Sequence, residues 1–395
     1  MITKRSVEIP PFIVMEVMEK AASMEREGVD IVHLEVGEPD FETPECVKEA
    51  AIRAIREGKT HYTHSLGVVE LREAIAEHYH GQYGVEVNPD QILVTSGTSP
   101  GMLLFFLSLL EPGEEVILPN PYYACYPNFV RMAEGRPVFV KVEEEEGFQY
   151  RPEEIKPLIG PATKAILLNS PANPTGNLTP PERMQAIAEL GKMVISDEIY
   201  HGLVYEGKEH SILEFTKNAV VINGFSKPYA MTGWRLGYLI VPPEFVRSLQ
   251  KMLQNFFISA NAFVQWAGIS ALREAGADVA RMKEIYNSRR KYIIPKLREL
   301  GFGITVEPTG AFYLLVNAKR FSQNSFEFAF DILKKARVGC TPGIDFGSNA
   351  EGYLRFTYAN SLENIEEGMK RLGRYLAEEL PGKRGNEKGI ESFSV

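Results

Sequence analysis

The sequence predicts an α/β protein: a mostly parallel sheet covered by helices on both faces, joined to a smaller α+β domain. Three observations carry this reading. From about residue 90 onward, short runs rich in Val, Ile and Leu alternate with longer amphipathic stretches. Turn residues stand beside the short runs, as they do at strand ends. The chain has 395 residues, which at roughly 150 per domain gives two to three domains and ample core.

The elements follow in order. Strands are expected at 92–95, 116–118, 138–142, 165–168, 193–196 and 220–223, with a seventh at 236–241. The connection into the seventh is short, which favours an antiparallel pair there. Among the helices, 101–110 is strongly apolar, and 181–191 starts with Thr179 as N-cap and Pro180 and Pro181 in its first turn. Long helices are expected at 264–272 and 278–300, the second a spine leading out of the first domain. Strands at 303–306, 312–316 and 353–358, with helices at 326–337 and 362–379, make the smaller domain. The N-terminal segment has no strand of its own in this reading and packs with that domain. The boundaries are then 46–288 for the large domain, and 1–45 with 289–380 for the small one. Glu143–146 reads as a solvated acidic turn, and 381–395, polar and Gly-rich, as a flexible tail.

Composition narrows the function. Formal net charge is −9, with 24% charged residues. That disfavours nucleic acid or an anionic membrane surface, which need clustered Lys and Arg. Cys46, Cys125 and Cys340 are three and far apart, with no CxxC, so neither a disulfide framework nor a zinc site is suggested, and a cytoplasmic location fits. The longest apolar run, 102–110, is far short of the ~20 residues of a membrane span. Lys4 and Arg5 are followed by Glu8, Pro10, Pro11 and Glu16, which is no signal-peptide pattern. His78 and His80 are two apart on a predicted helix and do not share a face, so no metal site is expected.

Several residues stand out for chemistry. Asp197 ends an apolar strand, where ligands bind in open α/β sheets; a helix N-cap is the alternative. Lys227 follows a strand closely; it is either an amine of lowered pKa, as carbonyl condensation requires, or a snorkelling surface lysine. Arg235, nearby, implies an anionic ligand if both point into one cleft. Ser96-Gly97-Thr98-Ser99 opens a helix and can present N–H groups and hydroxyls to a phosphate, or serve only as a cap. Asn173-Pro174-Thr175-Gly176 makes a turn on any reading. Tyr122 and Tyr123 are core residues or a stacking surface for a flat ring.

Together these strings resemble one family. Asn173-Pro174-Thr175-Gly176, Asp197-Glu198-Ile199-Tyr200, Ser226-Lys227 with Thr232-Gly233-Trp234-Arg235-Leu236-Gly237, and Arg355 in Tyr353-Leu354-Arg355-Phe356 are similar to class I/II aminotransferases of the aspartate aminotransferase superfamily. The likeness runs from Gly37-Glu38-Pro39-Asp40-Phe41 through Tyr62 to Arg355. It implies fold type I with a seven-stranded sheet, pyridoxal 5′-phosphate as cofactor, and amino-group transfer between an L-amino acid and a 2-oxo acid such as 2-oxoglutarate by a ping-pong mechanism. It also implies a homodimer with shared sites. By position, Lys227 resembles the lysine that holds the cofactor and moves the Cα proton. Asp197 matches the partner of the pyridine nitrogen, and Tyr200 and Asn173 match the groups on the ring hydroxyl. Arg235 with Gly97, Thr98 and Ser99 matches the phosphate cup, and Tyr123 the stacking aromatic. Arg355, with Gly37 and Asn173, matches the substrate-carboxylate site. Tyr62 resembles a tyrosine that reaches the neighbouring subunit's phosphate, with Asn261 near the same junction.

Two departures qualify the likeness. Gly224 stands where many members have a serine. The two usual positions for a second cation, which grips a distal carboxylate, align with Ser99 and Asn255, so strict aspartate specificity is not expected. A C–S lyase acting by β-elimination would use the same residues. A regulatory module of the kind fused in transcription factors would need a basic DNA-binding segment, which the acidic balance disfavours.

Overall fold

The computed structural model describes residues 2–380; the predicted tail at 381–395 lies outside the described residues. Its strands, in chain order, are β1 (Val32–His33), β2 (Ile92–Thr95), β3 (Glu115–Asn120), β4 (Arg136–Lys141), β5 (Thr163–Asn169), β6 (Met193–Asp197), β7 (Ala219–Gly224), β8 (Gly237–Ile240), β9 (Tyr313–Asn317), β10 (Val338–Gly339), β11 (Thr341–Pro342) and β12 (Tyr353–Thr357). Seven of them form one sheet in the order β2-β8-β7-β6-β5-β3-β4. All neighbours in it are parallel except β8, which is antiparallel to both β2 and β7. The connection between β7 and β8 holds no helix, and a parallel return is usually made through one.

The middle strands are buried on both faces. Val194 and Val221 point into one apolar cluster, while Ile195, Val220 and Ile222 point into the other. This is why the strand sequences are continuous apolar runs rather than alternating ones. Each such side chain, fully withdrawn from water, contributes about 1.5–3 kcal/mol. The helix Thr98–Leu109 packs on one face and Ala262–Glu274 on the other, the latter with Val264, Ala267 and Ala271 inward. A second system holds the antiparallel sheet β11-β12-β9 and the parallel pair β1-β10, backed by the helices Ser325–Ala336 and Leu362–Glu379. Ile365, Met369, Leu372 and Leu376 give the last helix its buried stripe.

Four local expectations are corrected. The N-terminal segment does carry a strand: Val32 pairs with Val338 and His33 with Gly339. Residues 303–306 form no strand; Gly303 makes only an isolated bridge to Asn317. The helix Pro181–Ala188 is preceded by Pro180 as N-cap without a side-chain bond, and Thr179 is buried, its N–H donating to Ser170 Oγ at 3.0 Å. The acidic turn is not wholly solvated. Glu144 is buried, accepting from Thr305 Oγ1 at 2.9 Å, Tyr353 Oη at 2.8 Å and Asn317 Nδ2 at 3.1 Å. Those hydrogen bonds outweigh burial and hold its carboxyl below the usual range.

Candidate active site

The C-terminal ends of the parallel strands open into a cavity of about 290 Å³, walled on its other side by the N-terminal segment and β12. This is where an open α/β sheet offers a ligand site, because backbone and side chains splay apart at the strand ends.

Asp197 is the last residue of β6 and faces this cavity. Its Oδ2 accepts from Tyr126 Oη at 2.6 Å and its Oδ1 from the Ile199 N–H at 3.1 Å. The carboxylate therefore both tightens the following turn and lines the cavity; no helix starts directly after β6, so the helix N-cap reading does not hold. Burial pushes its pKa up to about 6, against the lowering effect of those two hydrogen bonds.

Lys227 follows β7 and reaches into the same space, where Nζ donates to the Gly37 carbonyl at 2.6 Å. Burial lowers the amine to about 8; the charges of Arg355 and Arg235 push the same way and Glu38 opposes them. At pH 7 roughly a tenth is then neutral and nucleophilic, against far less than a hundredth of an ordinary lysine.

Arg355 lies in β12 with its guanidinium buried. Nη1 donates to Asn173 Oδ1 at 2.9 Å, and Nη2 to the Glu35 carbonyl at 2.6 Å and to Thr341 Oγ1 at 3.2 Å. The rings of Tyr313 and Phe346 lie 4.4 and 4.8 Å from it. Asn173 is itself fixed by Asn169, whose Oδ1 accepts the Asn173 N–H at 2.8 Å and whose Nδ2 donates to the Asp197 carbonyl at 3.0 Å. Tyr200 and Tyr313 share a hydroxyl–hydroxyl hydrogen bond of 2.8 Å. Gly37 is required beside them, since a Cβ there would run into the Tyr313 hydroxyl.

The remaining wall is an anion cradle. The helix Thr98–Leu109 begins at Gly97, whose φ of +91° suits only glycine and whose Cβ would strike the Arg235 guanidinium. Thr98, Ser99, Ser226, Thr232 and Arg235 converge on the cavity here. Arg235 itself has φ 55°, a strained value for a non-glycine residue, and its Nη1 donates to the Thr232 carbonyl at 2.9 Å. A helix N-terminus, hydroxyls and a guanidinium together suit a phosphate. A serine at Gly224 would press its Cβ to 3.0 Å from Gly237 Cα and the Leu236 carbonyl, and Ser226 offers a hydroxyl nearby instead.

Of the residues singled out in the sequence, Gly37, Thr98, Ser99, Tyr123, Asn173, Asp197, Tyr200, Lys227, Arg235 and Arg355 line one cavity, with Gly97 directly behind Arg235. Tyr62 does not: it is 81% exposed on the surface of its own chain. Asn255 is also exposed, with Nδ2 bonded to the Lys251 carbonyl, and Asn261 lines a neighbouring surface cleft with Glu38 and Thr232. The sequence reading passed over Tyr126, Asn169 and Tyr313. Asn169 carried a usable signal, since it ends an apolar strand as Asp197 does. The donor set fits pyridoxal phosphate: a buried carboxylate for a pyridine nitrogen, a lysine for its carbonyl, a phosphate cradle, and in Arg355 a buried Nε left without a partner.

Comparison with known proteins agrees. The family described as aminotransferase class I and II matches residues 29–372. A "(5-formylfuran-3-yl)methyl phosphate transaminase" of Methanocaldococcus jannaschii is 40% identical over 95% of this chain and 100% of its own length. An aspartate aminotransferase of Pyrococcus horikoshii is 39% identical over 95% of this chain and 97% of its own. A crystal structure of a Methanococcus jannaschii protein, titled as revealing active-site similarity to kynurenine aminotransferases, superposes with a TM-score of 0.89 at 40% identity, covering 95% of this chain and 100% of that one.

Proposed function

Since the chain belongs to the class I and II aminotransferase family and is a pyridoxal-phosphate-dependent aminotransferase, we propose that its amino donors are neutral L-amino acids with apolar side chains, with 2-oxoglutarate as acceptor. One observation carries the donor reading. Among the described residues, the cations lining the cavity are Lys227, Arg235 and Arg355, each with a task nearer the cofactor, while Phe12, Val14, Met15 and Met102 supply apolar surface. A distal carboxylate buried without a partner would be penalised by a few kcal/mol, so the distal carboxylate of 2-oxoglutarate must be met by polar groups and water rather than by a fixed cation. The kynurenine-aminotransferase likeness reported for the jannaschii structure supports the same direction. At fixed 2-oxoglutarate, kcat/KM for alanine, leucine or phenylalanine should match or exceed that for aspartate. An aspartate preference above ~100-fold over all three, about 2.7 kcal/mol, overturns this reading. Release of pyruvate and ammonia in place of amino transfer would instead indicate β-elimination.

The chemistry divides as follows. Bound pyridoxal phosphate supplies an electrophilic carbonyl and a ring that takes up electron density from the breaking Cα–H bond. Lys227 Nζ, lowered to about 8, holds that carbonyl at rest and carries the proton from Cα when released. The Asp197 carboxylate would hold the pyridine nitrogen and favour a proton on it. Tyr200 and Asn173 would hydrogen-bond the ring hydroxyl, and Tyr123 would offer its face to the ring. Arg355 takes the substrate α-carboxylate in a bidentate grip, its orientation fixed by Asn173, Glu35 and Thr341. Arg235, Thr98 and Ser99 bind the phosphate.

The working unit is a homodimer with shared sites. Tyr62, exposed here, and the apolar run Phe256, Phe257 and Ile258, which are 66%, 38% and 46% exposed, support a second copy as cover. Sedimentation at assay concentration should give a dimer; a fully active monomer refutes it. The proposed domain division, 46–288 against 1–45 with 289–380, is supported by the separate sheets. The three free cysteines are compatible with a cytoplasmic location.

A further inference from the structure

We propose that Asp345 is a positioning residue: it pins the start of the helix Ile13–Arg26 so that Phe12 covers the apolar end of the substrate cavity, and the turn that carries it ties this cover to Arg355. The proposal rests on the reading that the distal pocket takes a neutral side chain. The first N–H groups of a helix have no intrahelical acceptor and need one from elsewhere. Here the N-cap residue is Phe12, which has no polar side chain to offer. Asp345, from the distant turn Gly343–Phe346, takes that part: Oδ1 accepts the Ile13 N–H at 3.0 Å and Oδ2 the Val14 N–H at 3.2 Å. The carboxylate is buried, and such a group is kept in the interior by partners of this kind and by the positive end of the helix.

Phe12 lines the cavity and meets Tyr123 edge to face, with centroids 5.9 Å apart. The residue after Asp345 is Phe346, whose ring lies against the Arg355 guanidinium and whose carbonyl accepts the Tyr122 N–H at 3.0 Å. One four-residue turn therefore touches the carboxylate-binding arginine, the strand end that carries Tyr123, and the helix that carries Phe12. A donor gripped at Arg355 directs its side chain toward a surface whose position that same turn sets. Asp345 thus acts on specificity without touching the reacting atoms.

The test compares the parent holoenzyme with Asp345→Asn, Asp345→Ala and Phe12→Ala. Amide hydrogen exchange over residues 9–20, with no donor present, should rise in both Asp345 variants and stay unchanged elsewhere. Asparagine keeps the shape and one acceptor, so it serves if the alanine variant folds poorly. The phenylalanine-to-alanine ratio of kcat/KM should fall about fivefold to tenfold, the scale of a lost helix cap. The fall should appear in KM for phenylalanine, with kcat changed less than about twofold, since the reacting atoms are untouched. Asp345→Asn combined with Phe12→Ala should lower the ratio no further than Phe12→Ala alone. Unchanged exchange over residues 9–20, or an unchanged ratio in Asp345→Asn, overturns the proposal. If the parent enzyme itself prefers aspartate, the donor reading fails, and the exchange measurement still decides the role of Asp345.

Discussion

Lys227→Ala should lower transamination by roughly 10⁴-fold or more, because covalent holding of the cofactor and proton transfer at Cα are lost together. The fold should survive, since Lys227 Nζ makes one hydrogen bond, to the Gly37 carbonyl, and is not part of the packed core. Lys227→Arg should be as inactive as the alanine variant: a guanidinium keeps its proton at any working pH and can be neither nucleophile nor base. The amine also has a pH signature. In protein stripped of cofactor, reductive modification of Lys227 by a small aldehyde should be half-maximal near pH 8 and rise above it. Surface lysines respond only near their ordinary value of about 10.4. In the holoenzyme, borohydride should fix the cofactor on the peptide that contains Lys227. Full turnover in Lys227→Ala would remove the assignment.

Asp197→Asn should lower kcat on the order of 10²- to 10³-fold, the scale for removing one preorganised electrostatic partner from a buried site. The amide preserves size, its oxygen still accepts the Ile199 N–H and its NH2 can donate to the Tyr126 hydroxyl, so the loss reports charge rather than packing. Asp197→Ala should be worse, because it also leaves the Tyr126 hydroxyl buried and unpaired. Burial raises the native carboxylate to about 6, and a protonated ring nitrogen against it would supply the opposing charge that favours its ionised form. The measurement is single-turnover conversion with a saturating donor. A loss below about tenfold, ~1.4 kcal/mol in the barrier, contradicts the role.

Much of the architecture could be read from local pattern. Strands buried on both faces leave continuous Val, Ile and Leu runs, so β2 to β8 stood out, and the β7–β8 connection, which holds no helix, pairs them antiparallel as expected. What escaped was set by distant partners. Glu144 looked like one acid in a charged run; its acceptor role depends on Thr305, Asn317 and Tyr353, which no local window contains. β1 is two residues long and exists because Val338 and Gly339 pair with it. In the site, residues embedded in recognisable strings were legible by position. Tyr126 and Tyr313 were not, because a tyrosine that will donate to a buried carboxylate and one that will merely fill a core look alike until their hydroxyls are placed. Asp345 sat unnoticed for the same reason: its partners are backbone N–H groups at the other end of the chain.

The β1–β10 pairing also bears on how the protein is made. Val32 and Val338 lie near opposite ends of the chain, and the helix Ile13–Arg26 buries Val17 and Ala21 against Ile31 and Leu333. The segment around Val32 therefore meets these partners only after almost everything between them has been synthesised. Closing so large a loop is entropically tolerable, since each doubling of its length costs only about 0.6 kcal/mol. The greater burden is the wait, during which an apolar helix face stands uncovered while the central sheet, whose strands lie close together in sequence, can already assemble. Completion of the substrate cover is thus among the last events in the biogenesis of the enzyme, and a nascent chain halted before Leu333 would carry its cofactor cradle without a closed pocket above it.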